Sequence, residues 1–348
     1  MMRLGKPLVA GIAAAAMLST GAMLTTPASA DAVADFYKDK IVKIIVAAGP
    51  GGNHSNYSLL LAPFWKKYMP GNPTFIIQNM GGAGGTKAAN FLYNTAPQDG
   101  SHIGILLSDT PLAARVRATG VKYDPSKFQF LGGADYTRSM ITVLKSTGIK
   151  TLEDAKKKEA ICGSSGKGSQ TFMIPMLTNH FFNTKFKVIT GYRGMNGVDA
   201  AVDKGEVNCR AGVYESIVAI RPHWIEQGLV THLAAADLER LPKQPDIPTL
   251  LELTKDPDAQ AVLKLFFSGG IIGRAWLAPP GVPADRVAAL RAAFEKSFND
   301  PEAQAQMKSR KMHYDPVSWQ KQQEAVAGIM AAPDRLFDIA KTALGIKK

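Results

Sequence analysis

The chain has 348 residues, 46% hydrophobic and 20% charged, a balance that supports a large buried core in one or two domains and excludes a disordered polymer. Its 32 glycines and 21 prolines follow no fixed period, and its single long apolar stretch lies at the N-terminus, which excludes collagen, low-complexity arrays and polytopic membrane proteins. The formal charge of +12 is diffuse, and short basic runs such as Lys66-Lys67 and Lys156 to Lys158 lack interleaved aromatics, so no nucleic-acid partner is expected and the excess suits steering of small anions.

Arg3 and Lys6, the apolar run from Leu8 to Leu24 and the small residues Ala28-Ser29-Ala30 compose an export signal. Residues 1–30 are therefore expected to be removed after Ala30, leaving a soluble protein outside the cytoplasm. Neither cysteine is near a lipidation point.

Lys40 to Ala47 (KIVKIIVA) reads as a β-branched strand, GPGGNHS as its loop, and Tyr57, Leu60, Leu61, Phe64 and Tyr68 as the apolar stripe of a helix bent at Pro63. Phe75 to Gln78, the turn GGAGGT and a helical face at Ala88, Phe91 and Leu92 make a second strand–helix unit. Ile103 to Leu107, the turn Ser108 to Pro111 and a short helix make a third. Three such units predict a parallel sheet with right-handed crossovers.

Phe128 to Leu144 reads as a connecting region, after which the series restarts. Thr151 and Asp154 form a capping box. Strands are expected at Ala160 to Gly163, Phe186 to Thr190, Glu206 to Arg210 and Val230 to Ala235, with helices at Met173 to Phe182, around Val198 to Val202, and from Ser216 to Gln227. Three prolines make LPKQPDIPTL a crossing linker. Gly269 to Leu277 leads to an alanine-rich helix from Ala284, and two further helices should cover the first sheet. The expected architecture is α/β, two lobes with a mostly parallel sheet in each. Residues 31–133 plus 241–348 form the first lobe and 134–240 the second.

Catalytic patterns are missing. GGAGGTK and GKGSQT lack the last glycine of a dinucleotide loop, GSSGK puts Lys167 where a nucleophile elbow needs glycine, and the histidines show no metal spacing. No cofactor is expected. Cys162 and Cys209 fall on strands that would be neighbours, where they form either a disulfide permitted by export or two buried thiols. Trp65 and Trp276 read as packing residues.

Glycine-rich loops at the carboxyl ends of parallel strands put unpaired N–H groups and positive helix-dipole ends together, which suits an anion. The stretches IIVAAGPGGN, PGNPTFIIQNMGGAGGTKAANFLYNTAPQDG, GKGSQ, YRGMNGVDAAVDKGEV and PPGVPADRVAALRAAFEKSFNDPE together resemble the Bug-type periplasmic receptors of tripartite tricarboxylate transporters, over essentially the whole mature chain. The resemblance implies a Venus-flytrap, monomeric, non-enzymatic receptor that closes on a small carboxylate and delivers it to membrane permease subunits. Alternatives are a sensor input, or a periplasmic enzyme with Ser164 or Ser169 as nucleophile.

By motif, the resemblance assigns ligand contacts to Gly51, Gly52, Asn53, His54 and Ser55; to Gly84, Gly85 and Thr86; to Ser164, Ser165, Gly168 and Ser169; and to Arg193, with Ser108 and Tyr214 as weaker additions. The sequence departs from the family where Ser55 replaces a common aspartate and Leu59 an arginine. Asn53, His54 and Asn56 make the first loop rich in neutral hydrogen-bonding groups, so a ligand with carbonyl or hydroxyl functions at its far end is expected. Arg210 either faces a second carboxylate or points to solvent.

Overall fold

The computed structural model describes residues 28–116 and 120–346. The expected export signal lies outside that range apart from Ala28 to Ala30, which open the first helix, α1 (Ala28–Tyr37).

The first sheet contains β1 (Ile41–Val46), β2 (Thr74–Asn79), β3 (His102–Ile105), β4 (Gln129–Gly133) and the late strand β10 (Ala275–Ala278). Its order is β2-β1-β3-β10-β4, with β1 parallel to β2 and β3 and β10 antiparallel to β3 and β4. Ile44, Ile45 and Val46 of β1 are wholly buried because helices cover both faces, which is why this strand reads as a continuous aliphatic run rather than an alternation. The second sheet contains β5 (Ser139–Leu144), β6 (Ala160–Ser164), β7 (Phe186–Thr190), β8 (Cys209–Val213) and β9 (Val230–Ala236) in the order β7-β6-β8-β5-β9, with β5 the reversed strand. Both sheets are mixed, four strands running one way and one the other.

Helices α2 (Asn53–Tyr68), α3 (Thr86–Asn94) and α4 (Thr110–Arg115) follow β1, β2 and β3. In the second half α5 (Leu152–Ala155), α6 (Gln170–Phe182), α7 (Met195–Asp203), α8 (Tyr214–Ile220) and α9 (Pro222–Glu226) surround the sheet. The chain then forms α10 (Pro257–Phe267), α11 (Ala284–Phe298), α12 (Pro301–Ser309), α13 (Trp319–Ala331) and α14 (Asp334–Ala343). Helices α11 and α13 pack on β4, whereas α14 packs on α10 and on α6 of the second sheet. The C-terminal helices therefore cover the first sheet only in part.

The region Phe128 to Leu144, read as a connection, holds β4 and β5. Gly132 and Gly133 weaken the strand pattern of β4, yet both are required by packing: a Cβ on Gly132 would enter the Phe294 ring, and one on Gly133 would meet the Gln322 amide. Strand β8 lies three residues later than expected. Arg210 and Gly212 conceal a fully buried strand, in which Arg210 turns inward to an ion pair with Asp199 at 3.0 Å; it faces neither solvent nor the cleft. Helix α6 starts at Gln170 and contains Pro175 well inside it, and the helix expected to run to Gln227 is broken at Arg221-Pro222 into α8 and α9. Helix α10 was not anticipated, although Asp256 caps it and Pro257 opens it. Trp65 and Trp276 pack edge to face, 6.1 Å apart, within the first core.

Cys162 and Cys209 form a disulfide between the adjacent parallel strands β6 and β8, with their Cα atoms 4.2 Å apart. The bond closes a loop of 47 residues. Replacing both cysteines with alanine should lower stability to urea by about 2–4 kcal/mol, and alkylation of the unfolded, unreduced native protein should label neither cysteine. Two reactive thiols there would contradict the bond.

Candidate functional site

The strand ends of both sheets face each other across one gap. The walls come from the β1–α2 loop (Ala48, Gly49, Gly52, Asn53, His54), the β3–α4 turn (Leu107, Ser108, Asp109), the β6–α6 loop (Ser165, Ser169, Gln170, Thr171), the β7–α7 loop (Arg193 to Asn196), the start of α8 (Val213, Ser216) and the approach to β10 (Gly273, Arg274). Helices α2, α6 and α7 begin there on Gly52, Ser169 and Gly194, none of which caps its helix with a side chain. Their first-turn N–H groups and positive dipole ends therefore address the gap or the opposite lobe.

Loop amides also bond across the gap. Gly49 N–H donates to the Arg193 carbonyl at 3.2 Å, and Gly84 N–H to the Ser165 carbonyl at 2.9 Å. At Gly84, φ is +62° and a Cβ would lie 2.7 Å from Ser169 N. Only glycine permits that approach. The GGAGGT turn is thus a docking surface between lobes. Gln170 N–H, the first of α6, donates to the Asp109 carboxylate at 2.8 Å, so a side chain of one lobe caps a helix of the other.

Arg274 is a deeply buried guanidinium in the wall. Only 1% exposed, it pairs with Asp135, donates to Ser216 Oγ at 3.2 Å and lies over the Tyr57 ring at 5.4 Å. Asn53 Nδ2 reaches the same Ser216 Oγ at 3.5 Å. Burial, reinforced by the Arg274 charge, pushes His54 down to about 3, so its ring is neutral at physiological pH. Burial pushes Asp109 up to about 6 even though Gln170 N–H favours its ionised form.

Of the residues singled out from sequence, Gly52, Asn53, His54, Ser108, Ser165, Ser169 and Arg193 line the gap. The others do not. Ser55 Oγ donates to the Gly49 carbonyl at 3.4 Å, and the Gly51 carbonyl accepts from Asn56 at 3.5 Å, so both hold the first loop in shape. Gly85, at φ +87°, turns the chain into α3 against Leu107. Thr86 is buried beside Gly168 and bonds Tyr123; Gly168 itself packs on Ala83 and Gly84. Ser164 is wholly buried, its Oγ 3.0 Å from Thr171 Oγ1. The Tyr214 hydroxyl accepts from Gln244 at 2.9 Å, away from the gap. Sequence reading missed Asp109, Gln170, Asn196, Ser216 and Arg274. Asp109 was detectable beside Ser108 at a strand end, whereas Arg274 arrives through the late insertion of β10 and carries no local signal.

No family profile matches the chain, and no curated protein does. Among solved structures, the periplasmic binding protein BugD is 20% identical over 90% of this chain and 100% of its own, with a TM-score of 0.71. MatC from Rhodopseudomonas palustris with bound malate is 20% identical over 86% of this chain and 99% of its own, at 0.67. R. palustris Rpa4515 with adipate is 19% identical over 88% and 98%, also at 0.67. The chain has the two-lobed fold of the periplasmic binding proteins. Among the described residues, no helix is long and apolar enough to cross a membrane.

Asp109 has a testable pH signature. Because its folded-state affinity for the proton exceeds the unfolded one, its contribution to stability is full below the ordinary value of 3.8 and declines as pH rises towards about 6, by about 1.4 kcal/mol per unit. Asp109→Asn should therefore be more stable than the parent at pH 7.5 by about 1–3 kcal/mol, and the difference should vanish near pH 4, in urea titrations at both values. A pH-independent difference would contradict the assignment.

Proposed function

We propose that the protein is a periplasmic solute-binding receptor of the Bug type, which closes its lobes on a small carboxylate and presents it to the permease subunits of a tripartite tricarboxylate-type transporter. The observation that carries this reading is the convergence of three helix N-termini, drawn from both sheets and none capped by its own N-cap side chain, on a gap whose walls also hold Arg193 and Arg274. Each helix end contributes about 0.3–1 kcal/mol towards an anion, and more where water is excluded. The malate and adipate held by two fold neighbours are carboxylates of the same kind.

In this reading the signal over residues 1–30 is removed after Ala30, and the mature chain acts as a monomer. Its first lobe comprises residues 31–133 and 241–348, and its second 134–240, joined at the segments that cross between the sheets. Ligand contacts fall to Gly52, Asn53, His54, Ser108, Ser165, Ser169 and Arg193, with Arg274 added. Binding requires no bond to be broken, and among the described residues the side chains around the gap include no paired nucleophile and base.

A thermal-shift screen of mono-, di- and tricarboxylates should find acids that stabilise the mature protein by about 2.7 kcal/mol at a hundredfold excess over Kd. Stabilisation by a sugar or a lipid, with none by any acid, would reject the ligand class. Arg193→Ala should weaken the best acid by about tenfold, or 1.4 kcal/mol, with the unliganded melting temperature unchanged. Unchanged affinity would remove Arg193 from the site.

A further inference from the structure

The two residues that open α2 each present an unpartnered buried atom at the gap. Asn53 is 6% exposed; its Nδ2 is directed at Ser216, and its Oδ1 has no partner. His54 hydrogen-bonds the Leu106 carbonyl, which only a ring N–H can do, and its Nε2 is buried without a partner. Since the ring is neutral, that nitrogen offers a lone pair. Asp109, on the facing turn, is also an acceptor. The wall thus supplies two kinds of group. Cationic and dipolar donors, from Arg193, Arg274 and the helix ends, suit a carboxylate, and an adjacent set of neutral or anionic acceptors demands hydrogen atoms.

We propose that the ligand is a hydroxy acid, whose one hydroxyl hydrogen is shared between His54 Nε2 and Asn53 Oδ1 while its carboxylate faces the helix ends and arginines. This rests on the carboxylate reading above and narrows it. A ligand carbonyl would set one acceptor against another, and an unsubstituted chain would leave both atoms unpaired, which costs more than the bond itself gains. An ammonium could donate as well, but the wall that keeps His54 uncharged beside Arg274 penalises a second cation there.

The test is isothermal titration of the mature protein with acids matched in skeleton: malate, succinate, oxaloacetate and aspartate, and lactate against propionate. The hydroxy member should bind at least about tenfold tighter than its unsubstituted, keto and amino counterparts. In Asn53→Ala and His54→Phe the ratio of hydroxy to unsubstituted affinity should shrink to about twofold or less, because only the hydroxyl uses these atoms. Equal or tighter binding of succinate and propionate, or of oxaloacetate or aspartate, overturns the hydroxyl and leaves the carboxylate reading standing. Retention of the full hydroxy preference in both variants also overturns it. Binding of a neutral polyol such as glycerol or erythritol, with none of the acids binding, rejects the carboxylate itself.

Discussion

A buried helix N-terminus must find acceptors for its first N–H groups, since leaving them dry and unpaired costs as much as losing hydrogen bonds. In this protein three such ends, those of α2, α6 and α7, lie at the junction of the lobes. Asp109 already serves α6 from across the gap. Gly49 N–H likewise donates to the Arg193 carbonyl across the gap, so backbone donors at this junction hold the lobes together. The glycines on this face act in the same way, because Gly84 brings two backbones close enough to bond.

Charge in the walls is arranged around that event. A lone guanidinium as deeply buried as that of Arg274 would be expensive, and Asp135 offsets most of that cost while Ser216 fixes its orientation. The pair leaves little net charge but a directional field, and one of its effects falls on His54, which is kept neutral. Arg210 of β8 and Asp199 of α7 form a similar buried pair, outside the residues that line the gap, where the arrangement holds α7 to its sheet. Two chemically equal ion pairs thus do different work according to what lies next to them.

How far the site could be read in the sequence varies with the range of the interaction. The first loop was legible: Gly52, Asn53 and His54 follow a β-branched strand and precede an apolar stripe, and all three reach the gap. Ser164 carried the same kind of signal yet is buried behind it, because one residue along a strand end reverses the face on which a side chain emerges, and Thr86, which opens α3, is covered by Gly168 of the other lobe. The disulfide lay between the two, since neighbouring strands could be inferred but not the register that sets Cys162 directly beside Cys209.

What the amino-acid order determined alone was local: aliphatic runs, glycine breaks and capping residues, each decided by the conformational preferences of a few consecutive residues. From these come the strand–helix units and their repetition in two halves. The tertiary structure decided everything that depends on distant segments meeting: the inward turn of Arg210, the docking role of GGAGGT, the reach of α14 to α6, and the presence of Arg274 beside loops more than a hundred residues earlier in the chain. Burial and partnership give a side chain its charge state and its duty, and both are properties of neighbours that spacing along the chain does not reveal.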